Sequence, residues 1–240
     1  MNSNYSLRQR ARFAGLLYFL STLAGGFGLS YVRSKVIVAG DAAATAANIM
    51  SSEFLFRAAV VSNLLSQVLL FFFALALYQL FKEVNRVLAR VLLASAMLTV
   101  GIAVVNALNN FGALLVLSGA DYLKAFTPEQ LSAMAMIFIR LNNSVGQGLI
   151  EIFWTPLYIS FGLLVLKSRF LPKILGVLLI IMGVGFAINV YTKFLIPQFY
   201  PLMLTRLAMS LGALGGIPTI LWLLIMGARE QQPEQKVNHV

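Results

Sequence analysis

The chain lacks several residue types on which common protein chemistry depends. It has no cysteine, and its one histidine is His239, near the C-terminus. The absence of cysteine excludes disulfides, thiol nucleophiles, iron–sulfur ligation and zinc thiolate sites. One terminal histidine cannot build a proton relay or a histidine-based metal site within the chain. No phosphate-binding loop or dinucleotide fingerprint occurs either, so we expect no cofactor and find little support for an enzyme.

Charged residues are also scarce. They make up 11% of the 240 residues, whereas 60% are hydrophobic, and soluble domains contain roughly 25% charged residues. The net charge of +10 would suit nucleic acid only if the basic residues shared one face. They lie instead between hydrophobic blocks, which is typical of membrane topology. We therefore expect a lipid bilayer, and no nucleic acid, as a partner.

The hydrophobic blocks are long enough to cross a membrane. Because lipid offers no hydrogen-bond partners, each block must satisfy its own backbone, which predicts α-helices. We predict an all-α, polytopic membrane helix bundle in which residues 1–228 form one transmembrane domain and residues 229–240 a disordered cytoplasmic tail. The six predicted spans are Phe13–Val32, Ala58–Phe81, Val91–Leu117, Val145–Leu166, Ile174–Thr192 and Leu207–Gly227.

The distribution of lysine and arginine predicts the orientation of these spans. Of the 18 basic residues, eleven precede the first span, follow the second or fourth span, or lie in the tail, and seven lie on the other side. Cytoplasmic loops carry the excess of such residues. Both termini are therefore expected in the cytoplasm.

Two short amphipathic helices are predicted at the outer surface. One begins after Asp41, which has the position of an N-cap before an alanine-rich stretch. The other begins after Thr127, where threonine, proline and Gln130 form a capping-box order. If this second helix continued to Leu166 it would be roughly 58 Å long. We therefore predict a break at Asn142–Gly148, where residues that are poor in helix interiors cluster.

Polar side chains within the spans concentrate in the predicted outer half of the membrane. Such groups are expensive inside a bilayer, so each needs a partner or a function. The residues expected to share one outward-facing polar cavity are Arg57, Asn63, Gln67, Asn106, Asn110, Arg140, Gln147, Glu151, Asn189, Lys193 and Arg206. With four cations on its rim and Glu151 as its carboxylate, this cavity would prefer a small or amphipathic anion, such as the headgroup of an anionic lipid.

The same residues allow a purely structural interpretation. Asparagine and glutamine often join helices through hydrogen bonds worth about 0.6 kcal/mol each, and arginines at helix ends usually reach lipid phosphates. Glu151 fits this interpretation least well, because a buried carboxylate must take up a proton or find a cation. An ion pair with Arg57, Lys193 or Arg206 would satisfy it.

Three stretches of the chain carry a resemblance to a known family. They are Gly40–Ile49 with Glu53, Phe54 and Arg57, then Leu117–Leu123, and then Leu171–Gly176. Here the sequence resembles the membrane-protein family catalogued as domain of unknown function 4386. The resemblance implies a multi-pass protein of the bacterial plasma (inner) membrane, and it implies no activity.

Three hypotheses of function remain open. The first is a protein that binds or transports a small or amphipathic anion through the outward-facing polar cavity. The second is an accessory or scaffold subunit that docks a membrane partner or forms a homo-oligomer and binds no ligand. The third is an intramembrane enzyme with Glu151 as its acid or base, which has the least support because no histidine or second acid accompanies that carboxylate.

Overall fold

The longest hydrophobic blocks fold into helices that can cross a membrane. The computed structural model describes residues 6–196, 210 and 215–228. Within these residues, five helices have the length and composition of membrane spans, two further α-helices are shorter, a 3-10 helix comprises Asp121–Ala125, and no strand occurs. The long helices are α1 (Leu7–Val36), α3 (Glu53–Phe81), α4 (Arg86–Val116), α5 (Pro128–Lys167) and α6 (Lys173–Leu195), and the shorter ones are α2 (Ala42–Ser51) and α7 (Gly215–Met226). The predicted all-α membrane bundle is confirmed.

The predicted sixth span, Leu207–Gly227, lies partly outside the described residues. Its C-terminal part forms α7, whereas residues 207–209 and 211–214 and the predicted tail 229–240 are among those that the structure does not describe. Five spans are therefore seen at membrane length, and the sixth remains a prediction.

Side-chain caps determine where several helices begin. Ser6 and Gln9 form a capping box that starts α1 six residues before its predicted first residue. The Asp41 carboxylate accepts the Ala44 N–H at 2.8 Å and starts α2, and Thr127 forms the expected capping box with Gln130 at the start of α5. The two short-helix starts predicted from sequence are thus confirmed.

The predicted break at Asn142–Gly148 is wrong. Helix α5 is continuous over its 40 residues, which makes it about 60 Å long, and it passes the asparagine-rich stretch through a π-helical turn at Leu141–Gly146. This wider turn keeps the backbone hydrogen-bonded while accommodating residues that disfavour a regular α-helix. The part of α5 before the turn packs against α2 and α4.

The buried hydrophobic residues form two separate clusters. One includes Phe73 and Phe161 and fills the end of the bundle where α3 joins α4. The other includes Ile49 and Ile139 and lies under α2. In α3, α4 and α5 most of the amide residues fall between the positions that belong to these two clusters, namely Asn63, Gln67, Asn106, Asn109, Asn110, Asn142, Asn143 and Gln147. A polar layer therefore separates two hydrophobic layers.

Helices α5 and α6 approach each other closely at glycines. A Cβ atom at Gly162 would lie 2.5 Å from the carbonyl oxygen of Gly176, and one at Gly176 would lie 2.8 Å from the carbonyl oxygen of Gly162. Small residues allow backbones in membranes to make such contacts, which replace the hydrophobic driving force that lipid removes. The backbones of α5 and α6 are therefore in close contact at these two glycines.

Candidate functional site

Two small adjoining cavities lie in the polar layer. The first, the Arg33 cavity, has a volume of about 40 Å³, and the second, the amide cavity, has about 30 Å³. They share Val60, Asn63, Asn110 and Asn142 as lining residues, so we treat them together as the polar cavity. At roughly 10–15 Å³ for each water centre, either part holds on the order of three water molecules.

The lining of the polar cavity is rich in side-chain amides. Asn63 and Gln67 on α3 are four residues apart, as are Asn106 and Asn110 on α4, and this spacing places each pair on one helix face. Helix α5 adds amides within its π-helical turn and directly after it. The amide residues that line the polar cavity are Asn63, Gln67, Asn106, Asn110, Asn142, Asn143 and Gln147.

Asn106 and Asn142 fasten α4 to the π-helical turn of α5. The amide nitrogen of Asn106 donates to the carbonyl oxygen of Asn142 at 3.1 Å, and the amide nitrogen of Asn142 donates to the carbonyl oxygen of Asn106 at 3.0 Å. Asn109 donates to the side-chain oxygen of Asn106 at 3.0 Å. Gly146 lies against the Asn106 amide, with no room for a Cβ atom. These bonds fix one wall of the polar cavity.

A second π-helical turn borders the same space. It comprises Phe27–Val32 of α1, and its Gly28 and Val32 line the Arg33 cavity. A Cβ atom at Gly28 would lie 2.6 Å from the carbonyl oxygen of Ala59, so α1 and α3 approach closely there. Single π-helical turns are rare and occur often at functional sites. The polar cavity is therefore bordered by two π-helical turns, one in α1 and one in α5.

The electrostatic character of the polar cavity is positive. Arg33 lines it, and no carboxylate does so among the residues that the structure describes. Lys193 on α6 interacts electrostatically with both Arg33 and Glu151. Arg33 therefore supplies one cation on the cavity wall, and Lys193, which lines neither cavity, is a second cation that interacts with both Arg33 and Glu151.

Glu151 belongs to a second polar group that adjoins the cavity. Its Oε2 accepts a hydrogen bond from Nδ2 of Asn189 at 2.7 Å, and both residues are buried. Gln147 lies one helical turn before Glu151 on α5, and the Gln147 and Lys193 side chains both interact electrostatically with the Glu151 carboxylate. Since Gln147 also lines the amide cavity, it connects the two groups.

The remaining predicted site residues lie elsewhere. Arg57 pairs with Glu53 at 2.7 Å one helical turn away, and both side chains are largely exposed. Arg140 is exposed and lines neither cavity, and Arg206 lies outside the described residues. The structure thus brings five predicted residues to the cavity wall, Asn63, Gln67, Asn106, Asn110 and Gln147, and joins Glu151, Asn189 and Lys193 beside it.

Sequence reasoning missed Arg33, Asn142 and Asn143. Arg33 directly follows the predicted first span, so its position indicates only a basic residue at a helix end, and Asn142 and Asn143 fall in the stretch where a break is predicted. In a continuous helix, Asn142 lies one turn before Gly146 on the same face. This spacing of an amide and a glycine is the sequence feature that could have indicated a close contact with another helix.

A larger chamber adjoins the polar cavity toward the middle of the bundle. It has a volume of about 340 Å³ and shares Gln67 and Trp154 with the amide cavity. The Tyr18 and Tyr158 hydroxyls on its wall lie 3.2 Å apart, and the Ser66 hydroxyl bonds to α1. We call this space the aromatic chamber, and its described lining contains no charged side chain.

A bundle of long apolar helices that encloses a layer of amides and a buried carboxylate defines a multi-pass membrane protein. Residues 13–227 match the family described as domain of unknown function (DUF4386), and the chain belongs to this family. The resemblance predicted from the sequence is confirmed. No curated protein and no solved structure gives a significant match to the chain.

Proposed function

We propose that this protein binds a small anion in the polar cavity between α1, α3, α4 and α5. The observation that supports this proposal is the lining of that cavity, which combines seven amide side chains with Arg33 and, in the described part of the chain, no carboxylate. Amide and guanidinium N–H groups donate hydrogen bonds to an anion. Arg33 decides the sign of the preferred charge, since amides alone would accept a neutral solute equally well.

The position of Lys193 adds to this preference. Lys193 interacts repulsively with Arg33 and attractively with Glu151. An anion near the mouth of the cavity would relieve that repulsion.

The volume of the polar cavity favours a small anion over an amphipathic one. Spaces of about 40 Å³ and 30 Å³ accept an ion with a few water molecules, whereas drug-sized ligands fill roughly 300–1,000 Å³. The aromatic chamber beneath, which shares Gln67 and Trp154 with the amide cavity, provides the next space along a transport route. We propose that the protein transports the bound anion through this chamber. It would do so in the bacterial inner membrane, with both termini in the cytoplasm.

Binding can be tested on the purified protein with sodium nitrate, against sodium gluconate at equal ionic strength. The affected variant is Arg33→Gln, and its matched control is Lys35→Gln, which removes an exposed cation two residues further along α1. Loss of a charge-assisted hydrogen bond worth about 1.5–3 kcal/mol raises the Kd for nitrate at least about tenfold in the first variant. The control stays within about twofold.

The accessory-subunit hypothesis predicts different results. It requires no nitrate binding by the parent protein, together with a stable complex with another membrane protein in mild detergent. Nitrate binding that both variants retain equally would also contradict the proposed site. Nitrate flux into vesicles that contain the purified protein separates transport from binding alone.

A further inference from the structure

Glu151 is a carboxylate deep inside a membrane span. Its residue exposure is 4%, and that of its hydrogen-bond donor Asn189 is 3%. Ionisable groups at such positions are rare and usually bind an ion, a proton or a counter-charge. The binding of an anion to amides and Arg33 does not by itself require a carboxylate next to the cavity. Glu151 therefore needs a separate explanation.

The charged groups that face Glu151 are few in the described residues. From α6 the ammonium group of Lys193 interacts with it, and from α1 Arg33 interacts with that ammonium group. The facing part of α4 contributes Asn106 and carries no ionisable residue after Arg90. On α5 itself the nearest titratable side chain is that of Tyr158, seven residues away. The local charge balance thus depends on Glu151, Lys193 and Arg33.

Gln147 places Glu151 next to the proposed anion site. It lines the amide cavity, and it lies one helical turn before Glu151 on α5, so its side chain is next to the Glu151 carboxylate. Ile150 and Trp154, which precede and follow Glu151 on α5, also line that cavity. An anion held there would be separated from the carboxylate by one side chain. Two negative charges at that separation in a poorly screened environment repel each other strongly.

We propose that Glu151 is a proton-binding site whose occupancy is coupled to anion binding in the polar cavity. This proposal rests on the proposed function. When an anion enters, the carboxylate takes up a proton from the solution, and the neutral carboxylic acid still accepts the hydrogen bond from Asn189. When the anion leaves, the proton returns to water. The transported species is then one anion together with one proton.

Thermodynamic linkage gives the sign of the pH dependence. If anion binding promotes protonation of Glu151, protonation must promote anion binding by the same factor. The Kd for nitrate therefore increases as pH rises, by up to about tenfold per pH unit over the interval in which one proton accompanies one anion. It is independent of pH where Glu151 is already protonated in both states.

The test is isothermal titration of the purified full chain with sodium nitrate in two buffers that differ in ionisation enthalpy. The difference in heat measures protons taken up per nitrate bound. For the parent protein we expect uptake that approaches one proton. In Glu151→Gln, which keeps the side-chain shape and an acceptor for Asn189, uptake falls to zero and the Kd no longer changes with pH. The matched control Glu53→Gln, which removes an exposed carboxylate paired with Arg57, behaves like the parent.

Several outcomes would overturn the proposal. Nitrate binding by the parent without proton uptake, at every pH at which the protein stays folded, removes the coupling but leaves the anion site intact. This measurement needs no variant, so it decides the matter even if Glu151→Gln fails to fold. Undiminished proton uptake in Glu151→Gln assigns the proton to another group. Absence of nitrate binding at any pH overturns the proposed function together with this inference.

Discussion

At the scale of single residues, Asn106 determines much of the geometry of the polar cavity. Its side-chain nitrogen donates to the backbone of α5, its side-chain oxygen accepts from the amide of Asn109 on the same helix, and its amide lies against Gly146. Asn142 returns a bond to the Asn106 backbone. Because Gly146 has no side chain, α5 can come close enough for both bonds across the helix interface. The glycine and the two asparagines therefore act as one structural unit.

This dependence predicts that Gly146→Ala destabilises the protein. The new methyl group would overlap the Asn106 amide, so the helices must separate or the amide must move, at a cost of about 1–3 kcal/mol. The matched control is Gly101→Ala on α4, where a Cβ atom meets nothing within 4 Å. There alanine should leave stability unchanged or raise it slightly, because glycine is the poorer helix former.

Thermal unfolding of the two variants in the same detergent measures this difference. The melting temperature of Gly146→Ala should fall well below that of the parent, and that of Gly101→Ala should not. Equal melting temperatures for the two alanine variants would mean that the Asn106 side chain moves aside without loss. In that case Gly146 would not hold the α4–α5 spacing.

Residue patterns predicted the amides but not all of their contacts. The i, i+4 spacing of Asn63 with Gln67, and of Asn106 with Asn110, placed each pair on one face, and the structure brings both pairs to the cavity. A spacing rule contains no information about which partner a side chain meets across helices. The Arg57 side chain illustrates this, since its nearest opposite charge is Glu53 on the same helix rather than a group across the bundle.

At the scale of elements, the π-helical turn in α5 replaces the break that helix propensities predicted. Propensities describe a helix by itself, and asparagine, serine and glycine all lower its stability. In the folded protein, the hydrogen bonds between Asn106 and Asn142 compensate for part of that loss. A tertiary interaction of this kind cannot be read from local sequence. The capping residues can be predicted from local sequence, because a capping side chain and the backbone N–H that donates to it lie only three residues apart.

A π-helical turn accommodates one additional residue in an otherwise regular helix, which predicts the effect of a deletion. Removal of Ser144 from the turn Leu141–Gly146 should convert it to ordinary α-helix while the flanking parts of α5 keep their packing faces. Asn142 and Asn143 would then point differently, so nitrate binding should weaken although the protein folds.

Deletion of Leu163 provides the matched control, because it lies in a regular part of the same helix. There the loss of one residue rotates the following residues by about 100°, so the buried Leu164 and Val165 would turn out of the core and Leu166 would lose its place beside Gly176. Size-exclusion chromatography and circular dichroism should show a folded protein for the Ser144 deletion and misfolding for the Leu163 deletion. If the two deletions are tolerated equally, the π-helical turn has no special capacity to absorb the change.

At the scale of the whole molecule, the start of α1 and the end of α7 meet at one end of the bundle. The Arg12 guanidinium donates to the carbonyl oxygen of Ile225 at 2.6 Å and 3.1 Å, and Arg8 donates to that of Met226 at 3.3 Å. Cations at a helix C-terminus stabilise its unpaired carbonyl groups. This contact supports an even number of crossings between residues 12 and 225, as the charge distribution predicts.

The last prediction concerns which end of the bundle faces the cytoplasm. The chain contains no cysteine, so one introduced thiol reports its own location without further changes. Ser118 follows α4 and Glu83 lies between α3 and α4, and both are exposed. If the excess of basic residues is cytoplasmic, a membrane-impermeant maleimide added to intact cells should label Ser118→Cys and should label Glu83→Cys only after permeabilisation. The opposite pattern would place Arg33 and the polar cavity on the cytoplasmic side, and an anion would then enter the protein from within the cell.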